Sequence, residues 1–197
     1  MRPVLLVHGI WDTSRSLKVL AESLRGRGFS QVETVDLSPA SGLSRLEALA
    51  HQVAMHVAAL RERTGAAHID LLGFSMGALV SRWYLQRLGG TAWVRKFVSI
   101  SGPHHGTWTA YGLPFRGVRQ MRPESPLLRQ LAGHREELGN VAVHCLYTPF
   151  DAMIVPAESS VLPGARSVHR IPVVLHRWMV TDPRVLDLVA SLLKNEE

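Results

Sequence analysis

Short apolar runs alternate with stretches of helical periodicity along almost the whole chain. The apolar runs predict strands, at residues 4–7, 31–37, 68–74, 94–101, 141–147 and 168–175. Between these runs, apolar residues recur every three or four positions, and helices are predicted near residues 17–24, 46–60, 76–88 and after 182. This alternation is typical of a mostly parallel sheet with helices on both faces. The sequence therefore predicts a single α/β domain over residues 1–197, with about six strands.

Two helix starts carry recognisable signals. Ser44-Arg45-Leu46-Glu47 has the spacing of a capping box, and it precedes the apolar stripe of the second long helix. Asp182-Pro183 places a good N-cap residue before a proline at the first helical position. We therefore expect Ser44 and Asp182 to cap these two helices.

The segment 107–140 interrupts the alternation with several glycines and prolines. A long irregular segment inside a compact α/β domain more often has a function than serves only as a connection. We predict a lid-like or pocket-lining insertion with a short helix over 126–131. The segment is too short for a large cap, so an open site is expected.

The carboxyl ends of the predicted strands deliver a serine, an aspartate and a histidine to one edge of the sheet, where α/β proteins bind ligands. Ser75 follows the third strand within Gly73-Phe74-Ser75-Met76-Gly77, Asp151 follows the fifth and His176 the sixth. A serine hydroxyl becomes a good nucleophile when an imidazole takes its proton and a carboxylate fixes that imidazole's tautomer. The sequence thus predicts a catalytic triad, although a structural serine in a tight turn remains the alternative.

Backbone N–H groups near Ser75 are candidates for an oxyanion hole. The flanking glycines leave room for a sharp strand-to-helix turn, which places Met76 at the start of a helix. A second donor is expected from the loop after the first strand, where Ile10 follows Gly9. The N–H groups of Ile10 and Met76 are therefore the predicted oxyanion donors.

Other acids compete with Asp151 for the role in the triad. Asp36 follows the second strand but precedes the serine in the chain, and Asp70 lies at the amino end of its strand. Among the ten histidines, His176 alone falls between the last strand and the last helix. Asp151 and His176 are therefore preferred.

Six motifs follow one another in order along the chain. They are Val7-His8-Gly9-Ile10, Gly73-Phe74-Ser75-Met76-Gly77, the stretch Ser101-Gly102-Pro103-His104-His105-Gly106-Thr107, the run Asp151-Ala152-Met153-Ile154-Val155-Pro156, Gly164-Ala165-Arg166 and His176. With these motifs the chain resembles the α/β-hydrolase superfamily and, within it, the small bacterial triacylglycerol lipases and esterases with a minimal lid. The resemblance implies that Ser75 is the nucleophile, Asp151 the acid and His176 the base, with Ile10 and Met76 as oxyanion donors and no cofactor. One departure is Leu175, where family members usually have glycine before the catalytic histidine.

Trp11 and Phe74 are candidates for the substrate pocket, with ordinary packing as the alternative. His104 and His105 either line the pocket or hold their loop by hydrogen bonds, as the resemblance implies. The two neighbouring histidines also invite a metal-site interpretation. Because no cysteine or carboxylate lies nearby at ligand spacing, we expect no metal.

Composition and charge indicate which classes of binding partner are expected. Apolar residues make up 46% of the chain, but no run reaches the length of a membrane span. The net charge is +6, and the arginines are scattered, which favours a solvated basic surface over a nucleic-acid site. The start of the sequence lacks the pattern of a signal peptide, which favours a cytoplasmic location unless the chain is a processed form. We expect a small-molecule ester or lipid substrate, at most peripheral contact with a membrane, and no nucleic acid; the oligomeric state is not predicted.

Together these features predict a serine hydrolase that cleaves carboxylic esters of lipophilic acyl groups through an acyl-enzyme. A thioesterase or an amidase would use the same triad, so both remain alternatives. A non-catalytic α/β-hydrolase relative that acts as a binding module is a further alternative.

Overall fold

The computed structural model of the chain describes residues 1–132 and 135–195. Residues 133, 134, 196 and 197 of the predicted domain lie outside the described residues. The strands are β1 (Val4–Val7), β2 (Val32–Val35), β3 (Ile69–Phe74), β4 (Val94–Ile100), β5 (Ala142–Tyr147) and β6 (Ser167–Arg170). All neighbours pair in parallel, in the order β2-β1-β3-β4-β5-β6. The predicted α/β class and the parallel six-stranded sheet are confirmed.

Helices cover both faces of this sheet. The α-helices are α1 (Lys18–Gly26), α2 (Leu46–Thr64), α3 (Met76–Arg87), α4 (Arg116–Gln120), α5 (Pro126–Ala132) and α6 (Pro183–Lys194). Short 3-10 helices span Ser14–Leu17, Gly90–Ala92, Trp108–Tyr111, Arg135–Leu138, Ala157–Ser160 and His176–Val180. Among the described residues, no helix combines the length and the apolar character needed to cross a membrane.

The core consists of two apolar layers, one on each face of the sheet. The first packs α2, α3, α4 and α5 against the sheet, and the second packs α1 and α6 against the opposite face. The central strands β1 and β3 are buried along their whole length, which explains why they are continuous apolar runs rather than alternating ones. The sheet is thus a rigid frame whose carboxyl edge carries the connecting loops.

The last strand is shorter than the pattern predicts. β6 ends at Arg170 instead of continuing to residue 175. The N–H of Ile171 still donates to the carbonyl of Tyr147, at 2.9 Å, and because alternate N–H groups of a strand face the same neighbour, the next bond of the ladder would come from Val173. The chain then turns, and the N–H of Val173 donates to the carbonyl of Ile171. The strand therefore ends earlier, and residues 171–175 form the approach to His176.

The predicted cap of α2 is wrong, whereas that of α6 is correct. Arg45 is at the N-cap position of α2, without a side-chain cap. The N–H of Leu46 donates instead to Oε1 of Gln120, at 2.8 Å. At α6, the Asp182 side chain accepts from the backbone N–H of Arg184, as predicted. A side chain distant in sequence has replaced the local cap at α2.

The segment 107–140 is folded over the carboxyl edge of the sheet in its described part. It contains the 3-10 helices at Trp108–Tyr111 and Arg135–Leu138, together with α4 and α5. The short helix predicted over 126–131 is α5. Several side chains of this segment line a cavity beside Ser75, described below.

Candidate active site

Ser75 lies on a strained turn between β3 and α3. Its backbone has φ 55° and ψ −125°, a conformation that L residues rarely adopt. The flanking glycines make the turn possible, because a Cβ on Gly73 would lie 2.5 Å from Cα of Ala78. A Cβ on Gly77 would collide with the backbone carbonyl oxygens of Val7 and His8. The sequence Gly-Phe-Ser-Met-Gly therefore folds into a strained strand-to-helix turn with the backbone geometry typical of a nucleophile elbow.

Asp151 and His176 form a hydrogen-bonded pair. Nδ1 of His176 lies 2.8 Å from Oδ2 and 3.0 Å from Oδ1 of Asp151. Oδ1 also accepts hydrogen bonds from the backbone N–H groups of Met153 and Ile154, each at 2.9 Å. Since a carboxylate only accepts, Nδ1 carries the proton, and Nε2 is left free to act as a base. Two backbone N–H groups of its own loop thus hold the buried carboxylate, and the carboxylate sets the orientation and tautomer of the imidazole.

The His176 ring also packs on an aromatic side chain. The ring centroids of His176 and Phe74 are 4.9 Å apart, with an angle of 33° between the planes. The hydrogen bonds of the imidazole are to Asp151, and none joins it to Ser75 within the described residues. Ser75 and His176 nevertheless line the same cavity. Catalytic hydrogen bonds are often long or poorly aligned in apo active sites and tighten when substrate binds.

The loop after β1 brings Ile10 beside the elbow. His8 is fully buried, and its Nε2 accepts from the N–H of Leu37 at 3.0 Å. Its Nδ1 therefore carries the proton and donates to the carbonyl oxygen of Gly9 at 2.8 Å. This arrangement holds the loop after β1 against the segment that follows β2. A Cβ on Gly9 would lie 3.1 Å from Cβ of Ser75, so glycine permits the close approach.

Two backbone N–H groups are available near Ser75. Met76 is the first residue of α3, so its N–H has no acceptor within the helix. The N–H of Ile10 makes no backbone hydrogen bond in the part of the chain that is described. Both groups are thus free to donate to an oxyanion formed at Ser75.

Two cavities meet at Ser75. The larger one has a volume of about 530 Å³ and includes His176 in its wall. The smaller one, of about 70 Å³, extends under α4 and is lined mainly by apolar side chains. Ile10, Trp11, Ser75 and Met153 border both cavities. The site is therefore divided into a large open compartment on the His176 side and a small apolar compartment on the other.

The structure brings together only part of the predicted substrate pocket. Trp11 and Phe74 line the large compartment, whereas His104 and His105 line a separate cavity of about 260 Å³. Nε2 of His104 lies 2.7 Å from Oγ of Ser99, and complete burial lowers its pKa well below the usual value. Nε2 of His105 lies 3.1 Å from the carbonyl oxygen of Val161. Both histidines stabilise the loop after β4 rather than facing Ser75.

The competing acids have other partners. Asp36 accepts hydrogen bonds from the backbone and the hydroxyl of Ser14, and these lower its pKa. Asp70 pairs with Arg2 at 2.8 Å near the amino end of β3. Neither carboxylate contacts His176 within the described residues.

Leu175 and several neighbours were not predicted as parts of the pocket. The backbone of Leu175 has φ −113° and ψ 134°, which any residue adopts, so the family's glycine is not needed here. Its side chain lines the large compartment, as do Val174, Arg177 and Met153. Their position next to Asp151 and His176 in the sequence was the available signal.

Comparisons with known proteins give one match at the level of sequence families. The model of a family described as palmitoyl protein thioesterase matches residues 3–134, well over half of the chain. No curated protein is significantly similar in sequence.

Solved structures share the fold at low sequence identity. Lipase B from Aspergillus fumigatus has a TM-score of 0.86 at 20% identity, and the match covers 99% of this chain and 53% of that one. The mature form of lipase BlEst2 from Bacillus licheniformis gives 0.81 at 14%, covering 98% of this chain and 91% of that one. The product of gene lin2722 from Listeria innocua gives 0.79 at 15%, covering 100% and 95%. This chain therefore spans about half the length of the Aspergillus lipase and almost the full length of the other two.

Proposed function

Because this chain belongs to the palmitoyl protein thioesterase family and has the α/β-hydrolase fold, we propose that it is a serine hydrolase of lipophilic acyl esters acting through Ser75, His176 and Asp151. The observation that carries the proposal is the hydrogen bond between Asp151 and His176, whose side chain lines the same cavity as Ser75. Fold alone would not support this, since the α/β-hydrolase fold hosts many functions.

The reaction follows from the geometry of these groups. Nε2 of His176 accepts the hydroxyl proton as Oγ of Ser75 attacks the acyl carbonyl carbon. The N–H groups of Ile10 and Met76 stabilise the negative charge on the carbonyl oxygen. His176 then donates its proton to the leaving group, and an acyl-enzyme forms. Water, deprotonated by His176, attacks this acyl-enzyme and releases the carboxylic acid and Ser75.

The two compartments suggest how the substrate lies. His176 must reach the leaving atom, so the leaving group occupies the large compartment that contains His176. The acyl chain then occupies the small apolar compartment. Its volume of about 70 Å³ favours short apolar chains over long ones. Exposed apolar side chains at the rim, including Trp11, Met153 and Leu175, support a lipophilic substrate.

A thioesterase is the second candidate, and the description of the matched family favours it. The acyl-enzyme steps are the same for oxygen esters and thioesters, and only the leaving group differs. A substrate panel separates these two functions.

The test is hydrolysis of p-nitrophenyl esters from acetate to palmitate, with thioesters of the same acyl chains in parallel. Wild type should hydrolyse at least one series, and Ser75→Ala should abolish it. Ser81→Ala is the matched control, because Ser81 is a buried serine on the same helix and lines neither compartment. Equal activity in wild type and Ser75→Ala would contradict the proposal. If the wild type hydrolyses neither the ester nor the thioester series, a non-catalytic binding module would be favoured.

A further inference from the structure

Another cavity, of about 650 Å³, lies beside α4 and is lined mainly by arginines. Its wall is formed by Arg45, Arg116, Arg119, Gln120 and Pro126. Arg116, Arg119 and Gln120 are spaced by three and four residues, which places them on one face of a helix. Arg45 comes from the start of α2, so residues distant in sequence converge on one concave surface. This group is called the arginine cavity below.

Specific contacts hold the two helices together at this point. Oε1 of Gln120 accepts the N–H of Leu46, and Nε2 of Gln120 donates to Oε2 of Glu47 at 2.7 Å. Gly117 donates its N–H to the carbonyl of Gly42 at 2.9 Å. A Cβ on Gly117 would collide with the carbonyl oxygen of Ser44, so this close approach requires glycine. The convergence of the arginines is therefore built into the packing of α4 on α2.

In the part of the chain that the structure describes, none of the three positive charges is paired with an acidic side chain. Across the described residues, the guanidinium groups of Arg45, Arg116 and Arg119 make no ion pair and no hydrogen bond. Elsewhere on the surface, Arg63 pairs with Glu33 and Arg184 with Asp182. The neighbouring carboxylate of Glu47 accepts a hydrogen bond from the neutral amide of Gln120 instead of pairing with an arginine, and it keeps its negative charge. All three side chains are exposed, so their mutual repulsion is small in water, but an anion seated between them would be attracted by all three charges.

The arginine cavity is also close to the candidate active site. Val118 of α4 lines the small compartment together with Ser75. Arg116 and Arg119 on the same helix line the arginine cavity. A ligand in this cavity would be separated from the small compartment by α4.

We propose that the arginine cavity is a binding site for phosphate groups. Guanidinium groups form paired hydrogen bonds with phosphate oxygens, and arginine is the preferred residue where such planar recognition is needed. A phosphate group carries more negative charge than a carboxylate, so it suits a site with three arginines better than a carboxylate does. The phosphate belongs either to a small soluble molecule or to a phospholipid headgroup, and the experiment below distinguishes them.

The experiment measures binding to the full chain rather than activity, so its outcome is independent of the proposed triad. Inorganic pyrophosphate is titrated calorimetrically at low salt and at 0.15 M ionic strength. In parallel, cosedimentation is measured with vesicles of phosphatidylcholine alone and with added phosphatidic acid. The test variant is Arg116→Gln/Arg119→Gln. The control variant, Arg95→Gln/Arg170→Gln, also removes two positive charges, but from exposed positions outside the cavity.

The wild type should bind pyrophosphate or the phosphatidic acid vesicles, and the test variant should lose at least tenfold in affinity. The control variant should stay within twofold of wild type. Pyrophosphate binding without vesicle binding identifies a soluble ligand, and binding only to phosphatidic acid vesicles identifies a headgroup. Equal losses in both variants would show that net charge alone is responsible and would overturn the proposal. Absence of binding to either probe by the wild type would also overturn it.

Discussion

Replacing Asp151 with asparagine tests whether this carboxylate sets the proton position on His176. Oδ1 of Asp151 accepts two backbone N–H groups, whereas Oδ2 contacts Nδ1 of His176 at 2.8 Å. In Asp151→Asn, the amide oxygen should keep the Oδ1 position, because the NH₂ group cannot accept those two hydrogen bonds. The NH₂ group then faces Nδ1 and donates to it. His176 is left protonated at Nε2 and is unable to accept the proton of Ser75.

The size of the effect follows from the cost of the opposite amide orientation. Flipping the amide would restore the productive tautomer but leave the N–H groups of Met153 and Ile154 without acceptors. Each buried unsatisfied donor costs about 1–3 kcal/mol, so the productive orientation is disfavoured by about 2–6 kcal/mol. That energy corresponds to a loss of about 30-fold to 10⁴-fold in turnover. The upper end agrees with the loss of about 10⁴ typical of a triad with the wrong tautomer.

The assay is kcat on the best substrate of the ester or thioester series, with circular dichroism and thermal unfolding to show that the variant is folded. Asp36→Asn is the matched control, since Asp36 also follows a strand but contacts Ser14. The control should retain at least half of the wild-type kcat. A folded Asp151→Asn protein with more than a tenth of wild-type turnover would refute the assignment of Asp151 and the tautomer argument.

Three further predictions concern the elbow, pH and chain length. Gly77→Ala should destabilise the protein by about 1–3 kcal/mol in urea unfolding and reduce turnover, because the new methyl group meets backbone oxygens; unchanged stability and turnover would contradict this. The pKa of His104 is lowered by burial, so the unfolded state binds the proton more tightly. The stability present above the unfolded pKa of about 6.5 should therefore decline as pH falls below it. His104→Gln should weaken this pH dependence and the exposed His51→Gln should not; equal slopes would exclude His104 as its source. Leu113→Ala enlarges the small compartment and should move the optimum to longer acyl chains, whereas the half-buried Leu188→Ala should not; a fixed optimum would place the acyl chain elsewhere.

The sequence by itself determined the layout of the fold and the local form of the elbow. Buried parallel strands are continuous apolar runs, and helices have a period of 3.6 residues. Each element can therefore be recognised within a short window of the chain, and the windows together give the order of the elements. The elbow is also local, since Gly73 and Gly77 lie within two residues of Ser75 and relieve clashes at fixed offsets. The same locality applies to Asp182, whose side chain caps its own helix.

The tertiary structure decided the features that depend on contacts between distant residues. Which carboxylate meets His176 depends on the relative positions of two loops, and the cap of α2 comes from Gln120, 74 residues away. β6 ends early because the N–H of Val173 donates to the carbonyl of Ile171 instead of to β5. His104 faces Ser99 in a cavity of its own, and the arginine cavity exists only because α4 packs on the start of α2. Periodicity predicts which face of an element is buried, but it does not say which side chains from other elements will compete for the same donor, acceptor or cavity.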